Sequence, residues 1–186
     1  DPFTLQPILL AQYSNFGAQE EVVTGPRLYS EAGLDYPMMW RFGSLKPVLK
    51  YRQLNYELNE GEFFADNSLG GGQYFDENSP SAGAPLASLD GSLIFERPLS
   101  FAGKGMLQTL EPRLYYLYSE QEDQSNQPVF DSAELTFSYD QLFRETRFSG
   151  HDRLDDANQF SAGVASRFID DETGRSLFSG SLGQFY

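Results

Sequence analysis

The residues best suited to chemistry lie in one polar stretch, where the chain's single histidine, His151, is followed by Asp152 with serines nearby. A histidine that contacts a carboxylate can act as the general base for a serine nucleophile. However, these residues share one loop, and no serine stands in the strand-to-helix turn that exposes such a nucleophile. We therefore expect His151 to be a solvated loop residue, and we expect no catalytic residue in the chain.

Two further patterns could bind ions. The stretch NSLGGGQ at residues 67–73 is rich in glycine, but it lacks the Lys-Ser or Lys-Thr of a phosphate-binding loop, which favours a flexible tip. Acidic clusters at 76–78, 120–123 and 155–156 could bind calcium or magnesium, yet none has the ligand spacing of a dedicated calcium loop. We expect these clusters to be solvated, with cation binding as the alternative, and we expect no metal site and no cofactor.

Composition limits the classes of protein to which the chain can belong. No stretch approaches the ~18 to 20 continuous apolar residues of a membrane helix, which excludes a helical membrane protein. The net charge of −14, with no basic patch to offset it, excludes a nucleic-acid partner. There is no cysteine, and hence no disulfide or thiolate metal site within these residues. The chain starts at Asp1 without a methionine or a signal peptide, and we interpret it as a processed product or an excised piece.

The elements that must position these residues are predicted by an alternation of apolar and polar side chains with a period of two. Such alternation is typical of strands that separate two environments. In residues 105–118, for example, Leu110 and Leu114 lie on one face while Glu111 and Arg113 lie on the other. Seven segments follow this pattern, at residues 3–14, 25–38, 44–56, 83–97, 105–118, 157–169 and 176–186.

The connections between these segments alternate in length. Long polar links occupy residues 15–24, 57–82 and 119–156, whereas the other connections are short turns. The long links carry 18 of the 27 acidic residues but only three of the 13 basic ones, and aromatic residues gather near both ends of the segments. Short turns at one end, long loops at the other and aromatic girdles are typical of outer-membrane barrels. The sequence therefore predicts an all-β fold, an antiparallel up-and-down transmembrane β-barrel, with the long links as outer loops.

The polar faces of the predicted strands would line the barrel lumen, where water solvates charged side chains. Glu111 and Arg113 flank Pro112, which has no N–H for a sheet hydrogen bond, so we expect a bulge or weakened pairing there. We favour a role for these two charged residues in holding adjacent strands together over contact with a substrate. The candidate lumen-facing residues are Arg27, Glu31, Lys46, Lys50, Arg52, Asp90, Glu96, Glu111, Arg113 and Arg167.

The link 119–156 is too long to serve only as a connection, because structureless loops beyond ~12 to 15 residues are uncommon without a function. Its middle contains enough apolar residues to pack, and it holds the only basic residues of any long link. We predict that it folds back over the barrel mouth as a cap, and a mobile acidic loop is the alternative. Phe137, Tyr139, Leu142 and Phe143 would pack inward, and Arg144, Arg147 and Arg153 would pair with loop carboxylates.

Several longer strings of the sequence resemble one family. They are TLEPRLYYLY at 109–118, DQSNQPVFDS at 123–132, FSYDQLFRETRFSGHDRLDDANQ at 137–159, ASRFID at 165–170 and SGSLGQFY at 179–186, together with DGSLIFERPL at 90–99. Over residues 84–186 the chain thereby resembles the LptD (OstA/Imp) family of outer-membrane lipopolysaccharide-assembly proteins, whereas residues 1–83 match only in spacing.

The resemblance implies more than the pattern can. Members of this family have a periplasmic β-jellyroll domain that receives lipopolysaccharide and a very large barrel, which the lipoprotein LptE plugs and which opens laterally. The chain would then supply about seven strands from the middle of that larger barrel in the bacterial outer membrane, without the jellyroll. The expected partners are lipopolysaccharide, an LptE-like plug lipoprotein and, through the jellyroll, the periplasmic lipopolysaccharide-transport bridge.

Two other classes of protein stay open at this point. A stand-alone outer-membrane barrel acting as a porin, adhesin or hydrolase is disfavoured by the odd number of predicted strands. A soluble antiparallel sandwich would not explain outward leucine and phenylalanine on every strand. We therefore expect a wall segment of the translocon that inserts lipopolysaccharide into the outer leaflet, with no enzymatic activity.

Overall fold

A computed structural model describes residues 4–17, 23–59, 78–101 and 103–186. Among these residues, no helix is long and apolar enough to cross a membrane. Much of the predicted loops 15–24 and 57–82 lies outside the described residues, as do the glycine-rich stretch 67–73 and residues 76–77. The described strands are β1 (Gln6–Phe16), β2 (Gly25–Asp35), β3 (Met38–Trp40), β4 (Gly43–Tyr56), β5 (Ser81–Leu93), β6 (Phe95–Phe101), β7 (Lys104–Ser119), β8 (Ala157–Asp170) and β9 (Ser176–Phe185), with a 3₁₀ helix at Tyr139–Phe143.

All of these strands belong to one antiparallel sheet in which spatial neighbours follow the order of the chain. The order along the sheet is β1, β2, β4, β5, β7, β8 and β9, while β3 pairs with β4 and β6 pairs with β7. Each strand therefore runs back along its predecessor, and the prediction of an all-β, antiparallel up-and-down fold is confirmed. Within the described residues the sheet does not close, and β1 and β9 form its two edges.

Prolines explain why nine strands overlap seven predicted segments. β2 and β3 keep one register against β4 and are interrupted at residues 36–37, where neither Pro37 nor the facing Pro47 has an N–H, although the Tyr36 N–H still donates to the Pro47 carbonyl at 3.1 Å. β5 and β6 likewise keep one register against β7 and are interrupted after Leu93, which that register places opposite Pro112. Proline has no N–H to donate to the ladder, so pairing lapses beside it. The weakened pairing expected at Pro112 is found without a shift of register, and the pairing of β7 with β8 continues unbroken.

The sheet has two unlike faces because successive side chains of each strand point to opposite sides. One side, here called the exposed apolar face, presents large accessible apolar residues. The other, the covered face, packs against residues 120–156, here called the covering segment, and the buried core lies between them. Members of the exposed apolar face are Leu9, Tyr13, Leu28, Leu34, Leu49, Leu89, Leu93, Phe95, Leu110, Leu114, Phe160, Phe178 and Leu182. The core contains Tyr29, Leu54, Tyr56, Ala84, Leu86, Tyr115, Leu117, Leu142, Phe143 and Leu154.

Candidate functional site on the covered face

The ten charged strand residues that were predicted to face the lumen share the covered face. Residues that pair across an antiparallel ladder point to the same side, and the register places Glu31 opposite Arg52 and Lys46 opposite Asp90. The registers of the other strands likewise place all ten candidate lumen-facing residues on this face. The half near the long links is buried under the covering segment and is called the roofed half; the half near the short turns is accessible and is called the open half. The roofed half holds Arg27, Glu31, Lys50 and Arg52, and the open half holds Lys46, Asp90, Glu96, Glu111, Arg113 and Arg167.

Arg27, whose side chain is fully buried, makes the most extensive link between the sheet and the covering segment. Its two terminal nitrogens donate to the two carboxylate oxygens of Asp131, at 2.7 and 2.8 Å, and one of them also donates to Asp152. Asp152 further accepts a hydrogen bond from the Tyr56 hydroxyl at 2.9 Å and from the backbone N–H groups of residues 130–132. A buried charge is stable only when it is paired and hydrogen-bonded. This network therefore fixes the covering segment onto β2 and β4.

Two further cations on β4 contact the same segment. Lys50 Nζ lies 2.6 Å from Glu31 Oε2 on β2 and 2.6 Å from Glu145 Oε2 of the covering segment. Arg52 donates to the backbone carbonyl of Asp155 at 3.0 Å. All three buried cations of the roofed half thus bind acceptors that come from the covering segment.

The 3₁₀ helix provides an apolar contact between the covering segment and the sheet. Leu142 and Phe143 are buried, and Gly163 and Gly183 of β8 and β9 leave room for them. A Cβ atom on Gly163 would lie 2.8 Å from Phe143 Cζ, and one on Gly183 would lie 2.5 Å from Leu142 Cδ1. Arg113 Cζ lies 4.3 Å from the centroid of the Phe143 ring, a cation–π distance. Because Gly163 and Gly183 have no side chains, the helix can pack directly on β8 and β9.

The apolar residues predicted to form the cap differ in their placement. Leu142 and Phe143 are buried, and the Tyr139 ring lies edge-on to Phe143 with its centroid 5.3 Å away. Phe137 is 65% exposed, and its ring centroid lies 6.0 Å from that of Phe185 at the end of β9. The expectation that Phe137 packs inward is therefore wrong, because it precedes the helix and lies at the rim of the described sheet.

The three arginines predicted to pair with loop carboxylates also differ. Arg147 forms such a pair, with Nε and a terminal nitrogen 3.0 and 2.6 Å from Asp155 Oδ1. Arg153 instead donates at 3.1 Å to the backbone carbonyl of Gln127, so a carboxylate partner is wrong for it. Its planar guanidinium satisfies a carbonyl that the turn leaves without a sheet partner. Arg144 is exposed and lines a cavity of about 470 Å³ beside β9, and no carboxylate of the described part of the chain lies within ion-pair distance of it.

His151 is not a solvated loop residue. Its ring is half-buried and stacks on Tyr29, with the two centroids 4.1 Å apart. Burial, together with the nearby Arg27, lowers the pKa of the imidazole below its usual 6.5, so the ring is neutral at pH 7. Asp155, from the acidic pair expected to be solvated, is also buried. Over the described ranges, no three His, Cys, Asp or Glu residues are grouped so that they could hold a metal ion.

The electrostatics of the covering segment follow from these contacts. The Arg27 guanidinium holds the pKa of Asp131 well below its usual range, at about 2. Hydrogen bonds to Asp155 raise the pKa of Arg147, whereas burial lowers the pKa of Arg153. Asp131 is therefore ionised at neutral pH, and its attraction to Arg27 persists well into the acid range.

The open half is built on two arginine–carboxylate contacts, here called the wall ion pairs. Arg113 donates from Nε and a terminal nitrogen to the two oxygens of Asp90 on β5, at 2.9 and 2.5 Å. Arg167 of β8 donates twice to Glu111 Oε1, at 2.9 and 2.6 Å. Glu111 and Arg113 are therefore bonded to opposite neighbouring strands and not to each other. These contacts link β5, β7 and β8, as the strand-holding interpretation of the two residues requires.

Sequence reasoning missed the residues that position the covering segment. Asp131 and Asp152 lie in a long acidic link, and no local pattern distinguishes them from solvated carboxylates. Gly163 and Gly183 did carry a signal, because glycine inside a strand often marks the close approach of another part of the chain. The alternation of polar and apolar residues along β8 and β9 also places both glycines on the polar face of their strands.

Comparisons with known proteins identify relatives of this sheet. Residues 2–186 match the family model described as LptD, LPS transport system D. The chain is 44% identical over 163 residues to the LPS-assembly protein LptD of Pseudomonas aeruginosa (strain UCBPP-PA14), which covers 88% of this chain and 17% of that relative. It is 45% identical over 160 residues to the LPS-assembly protein LptD of Pseudomonas fluorescens, covering 79% and 17%. Identity to the Saccharophagus degradans protein of the same name is 41% over 176 residues, covering 90% and 19%.

The chain thus spans less than a fifth of the length of these curated relatives. The match to the family nevertheless extends over almost every residue of the chain, and identity to each of the three relatives exceeds 40%. The chain belongs to the LptD family, LPS transport system D.

Proposed function

We propose that the chain forms part of the wall of a β-barrel that inserts lipopolysaccharide into the outer leaflet of the Gram-negative outer membrane. The observation that carries this proposal is the family match over residues 2–186, with relatives named LPS-assembly protein LptD. The proposed role is transport and assembly, without covalent chemistry. These relatives do not favour the alternative of a stand-alone porin, adhesin or hydrolase.

The two faces of the sheet suit a barrel wall. Side chains such as Leu9 and Leu182, which are 82% and 77% exposed, would face lipid hydrocarbon. Removing a large apolar side chain from water contributes roughly 1.5 to 3 kcal/mol. The covered face would line the lumen, where water reaches the wall ion pairs. The edges β1 and β9 would pair with further strands of the longer protein, because lipid does not tolerate open sheet edges.

The covering segment would cap the mouth of the lumen and contact a plug lipoprotein of the LptE type. Its buried contacts to Arg27 and Lys50, and the packing of its helix on Gly163 and Gly183, support a fixed position over the lumen. In this role lipopolysaccharide would be the cargo, delivered by the periplasmic transport bridge through the jellyroll of the full-length protein. Nucleic acid is not an expected partner.

Deletion of residues 134–153 from the full-length protein tests the cap. We expect weaker co-purification of the plug lipoprotein and greater sensitivity of cells to large antibiotics, because the deletion removes the 3₁₀ helix and Glu145. Deletion of residues 67–73, which belong to a different predicted outer loop, is the control. Unchanged plug association together with an intact permeability barrier would contradict the cap.

An exchange of segments tests the proposed function itself. In the LptD of Pseudomonas aeruginosa, the 163 matched residues are replaced by the corresponding residues of this chain. We expect the chimera to assemble as a heat-modifiable barrel and to deliver newly made lipopolysaccharide to the cell surface when the native protein is depleted. The same exchange with the Pseudomonas fluorescens relative is the control.

Two results of this exchange would contradict the proposal. A chimera that fails to assemble where the control assembles would count against the barrel wall. A chimera that assembles like the control but leaves lipopolysaccharide inside the cell would count against the transport role.

A further inference from the structure

We propose that the phosphate groups of the passing glycolipid move along the open half of the covered face. The wall ion pairs keep the arginines of this half from retaining those phosphates. The inference rests on the proposed function only in naming a phosphorylated lipopolysaccharide as the cargo. Its basis is the placement of two arginine–carboxylate pairs, with Lys46 directly opposite Asp90, on the accessible part of the face.

The wall ion pairs are accessible from the lumenal side. The side chains of Arg113 and Arg167 are 37% and 48% exposed, whereas that of Arg27 in the roofed half is fully buried. A solute that passes along the open half can therefore touch both guanidinium groups. The covering segment reaches this half only at its border, where the Phe143 ring lies over Arg113.

An accessible arginine without a partner would hold a phosphate strongly. The planar guanidinium matches phosphate oxygens with two parallel hydrogen bonds, and such charge-assisted contacts are about twice as strong as neutral ones. A wall with several such groups would retain a polyanionic cargo. A surface over which the cargo must move therefore requires these groups to be occupied.

The carboxylates of the wall neutralise these guanidinium groups and occupy one edge of each. Asp90 accepts from Nε and a terminal nitrogen of Arg113, and Glu111 accepts from the same two positions of Arg167. Glu111 is itself positioned by the Thr109 hydroxyl, which donates to Oε1 at 2.7 Å. A phosphate can reach the other terminal nitrogen of either arginine, but there it meets a guanidinium whose charge the adjacent carboxylate already neutralises.

The charges also alternate from strand to strand. Lys46 on β4 is opposite Asp90 on β5, which binds Arg113 on β7. Glu111 on β7 then binds Arg167 on β8. A phosphate that approaches any of these cations therefore meets a carboxylate beside it. The three cations and three carboxylates of the open half sum to zero, so it combines access with neutrality as a conduit for anions requires, and each of its two arginines has a carboxylate partner.

Exposing one arginine at a time tests the inference. Full-length protein with its plug lipoprotein is purified in detergent and titrated with fluorescent short-chain inorganic polyphosphate. Glu111→Gln exposes Arg167, and we expect polyphosphate to bind about tenfold more tightly than to wild type, with the gain lost at high salt. Asp90→Asn exposes Arg113 and should act similarly, which keeps the test open if one variant fails to assemble.

Two control variants separate this effect from a general change in charge. Glu96→Gln removes one negative charge from the same face, but Glu96 has no ion pair within the described ranges, so we expect binding like that of wild type. The double variant Glu111→Gln/Arg167→Gln should also return to wild-type binding, because it removes the arginine that was exposed.

Three results would overturn the inference. Equal gains for Glu96→Gln and Glu111→Gln would show an effect of net charge alone. Tight binding that persists in the double variant would place the polyphosphate elsewhere. Unchanged binding in both Glu111→Gln and Asp90→Asn would show that the arginines are not held back by their partners. The titration uses no lipopolysaccharide, so a failure of the proposed function, seen as a failure of the wild-type protein to deliver it, is a separate result.

Discussion

The roofed half and the open half of the covered face each contain a paired arginine, but the carboxylates that neutralise Arg27 and Arg167 come from different sources. Arg27 is fully buried, and its carboxylates come from a loop that follows it by 104 residues or more. Arg167 is 48% exposed, and its carboxylate comes from the next strand of the wall. For these two arginines, the origin of the carboxylate, loop or wall, separates a charge that fixes a long loop from one that lines an accessible space.

The largest effect should come from removing the central carboxylate of the roofed half. Asp152→Ala leaves the Tyr56 hydroxyl and the backbone N–H groups of residues 130–132 without their acceptor and leaves buried Arg27 with Asp131 alone, and we expect a loss of about 3 to 5 kcal/mol. The equivalent change in the open half, Glu111→Ala, should cost about 0 to 1 kcal/mol because water can replace the carboxylate. Hydrogen exchange of residues 128–154 and the heat-modifiable fraction of the full-length protein measure both. Similar losses in the two variants would remove the distinction between the halves.

The proposed difference between the two halves also depends on the covered face lining the lumen. Arginine at Val164, on the opposite face and near the middle of β8, should cost about 2 to 4 kcal/mol in the assembled barrel because it would meet lipid. Arginine at the next residue, Ala165, lies on the covered face opposite Glu111 and should cost much less. The measurement is the fraction of assembled protein in outer membranes. If Ala165→Arg is lost as completely as Val164→Arg, the assignment of the faces is wrong.

A smaller effect is expected where the covering segment contacts glycine. Gly183→Ala would bring a Cβ atom within 2.5 Å of Leu142 Cδ1, and overpacking of this kind typically costs about 1 to 3 kcal/mol. The matched control is Gly180→Ala on the same strand, where the nearest atom to the new Cβ lies 3.8 Å away. Faster hydrogen exchange at Tyr139–Phe143 in the first variant alone is the expected result. Equal exchange in both would show that the helix does not depend on this contact.

The smallest effect concerns pH in the roofed half. Because the folded pKa of His151 lies below its unfolded value of 6.5, the unfolded segment binds more protons, and stability falls as pH drops below 6.5. The lowered pKa of Asp131 acts in the same direction at lower pH, because its contribution is complete above 3.8 and is lost as pH falls toward 2. His151→Phe keeps a ring on Tyr29 and should abolish the loss of exchange protection between pH 7 and 5. Persistence of that loss would assign it to another group.

The fold was predictable because its main determinants are local. The period of two placed Glu111 and Arg113 on one face without knowledge of any neighbour, and the missing N–H of Pro112 was sufficient to predict the lapse in pairing. Their actual partners were not predictable, because Asp90 and Arg167 come within reach only through the registers of β5 and β8 against β7. Register depends on the whole sheet and not on either residue.

The covering segment shows the same limit more strongly. Its apolar residues predicted a packed segment, and Leu142 and Phe143 are indeed buried. The same reasoning could not find that Asp152 binds Arg27, or that Arg153 binds a backbone carbonyl. Both contacts depend on the path of the loop in space, and nothing in the neighbouring sequence marks these side chains.

The long separation in sequence between Arg27 and Asp152, 125 residues, has a consequence for the biogenesis of the barrel. Contacts this distant close a large loop, and the entropy of closing it is lost before the contact can form. The pocket that receives Asp152 also includes Tyr56, so β2 and β4 must already lie side by side. Docking of the covering segment therefore follows the pairing of these strands, and protection of residues 130–132 from hydrogen exchange during assembly would time the completion of this part of the wall.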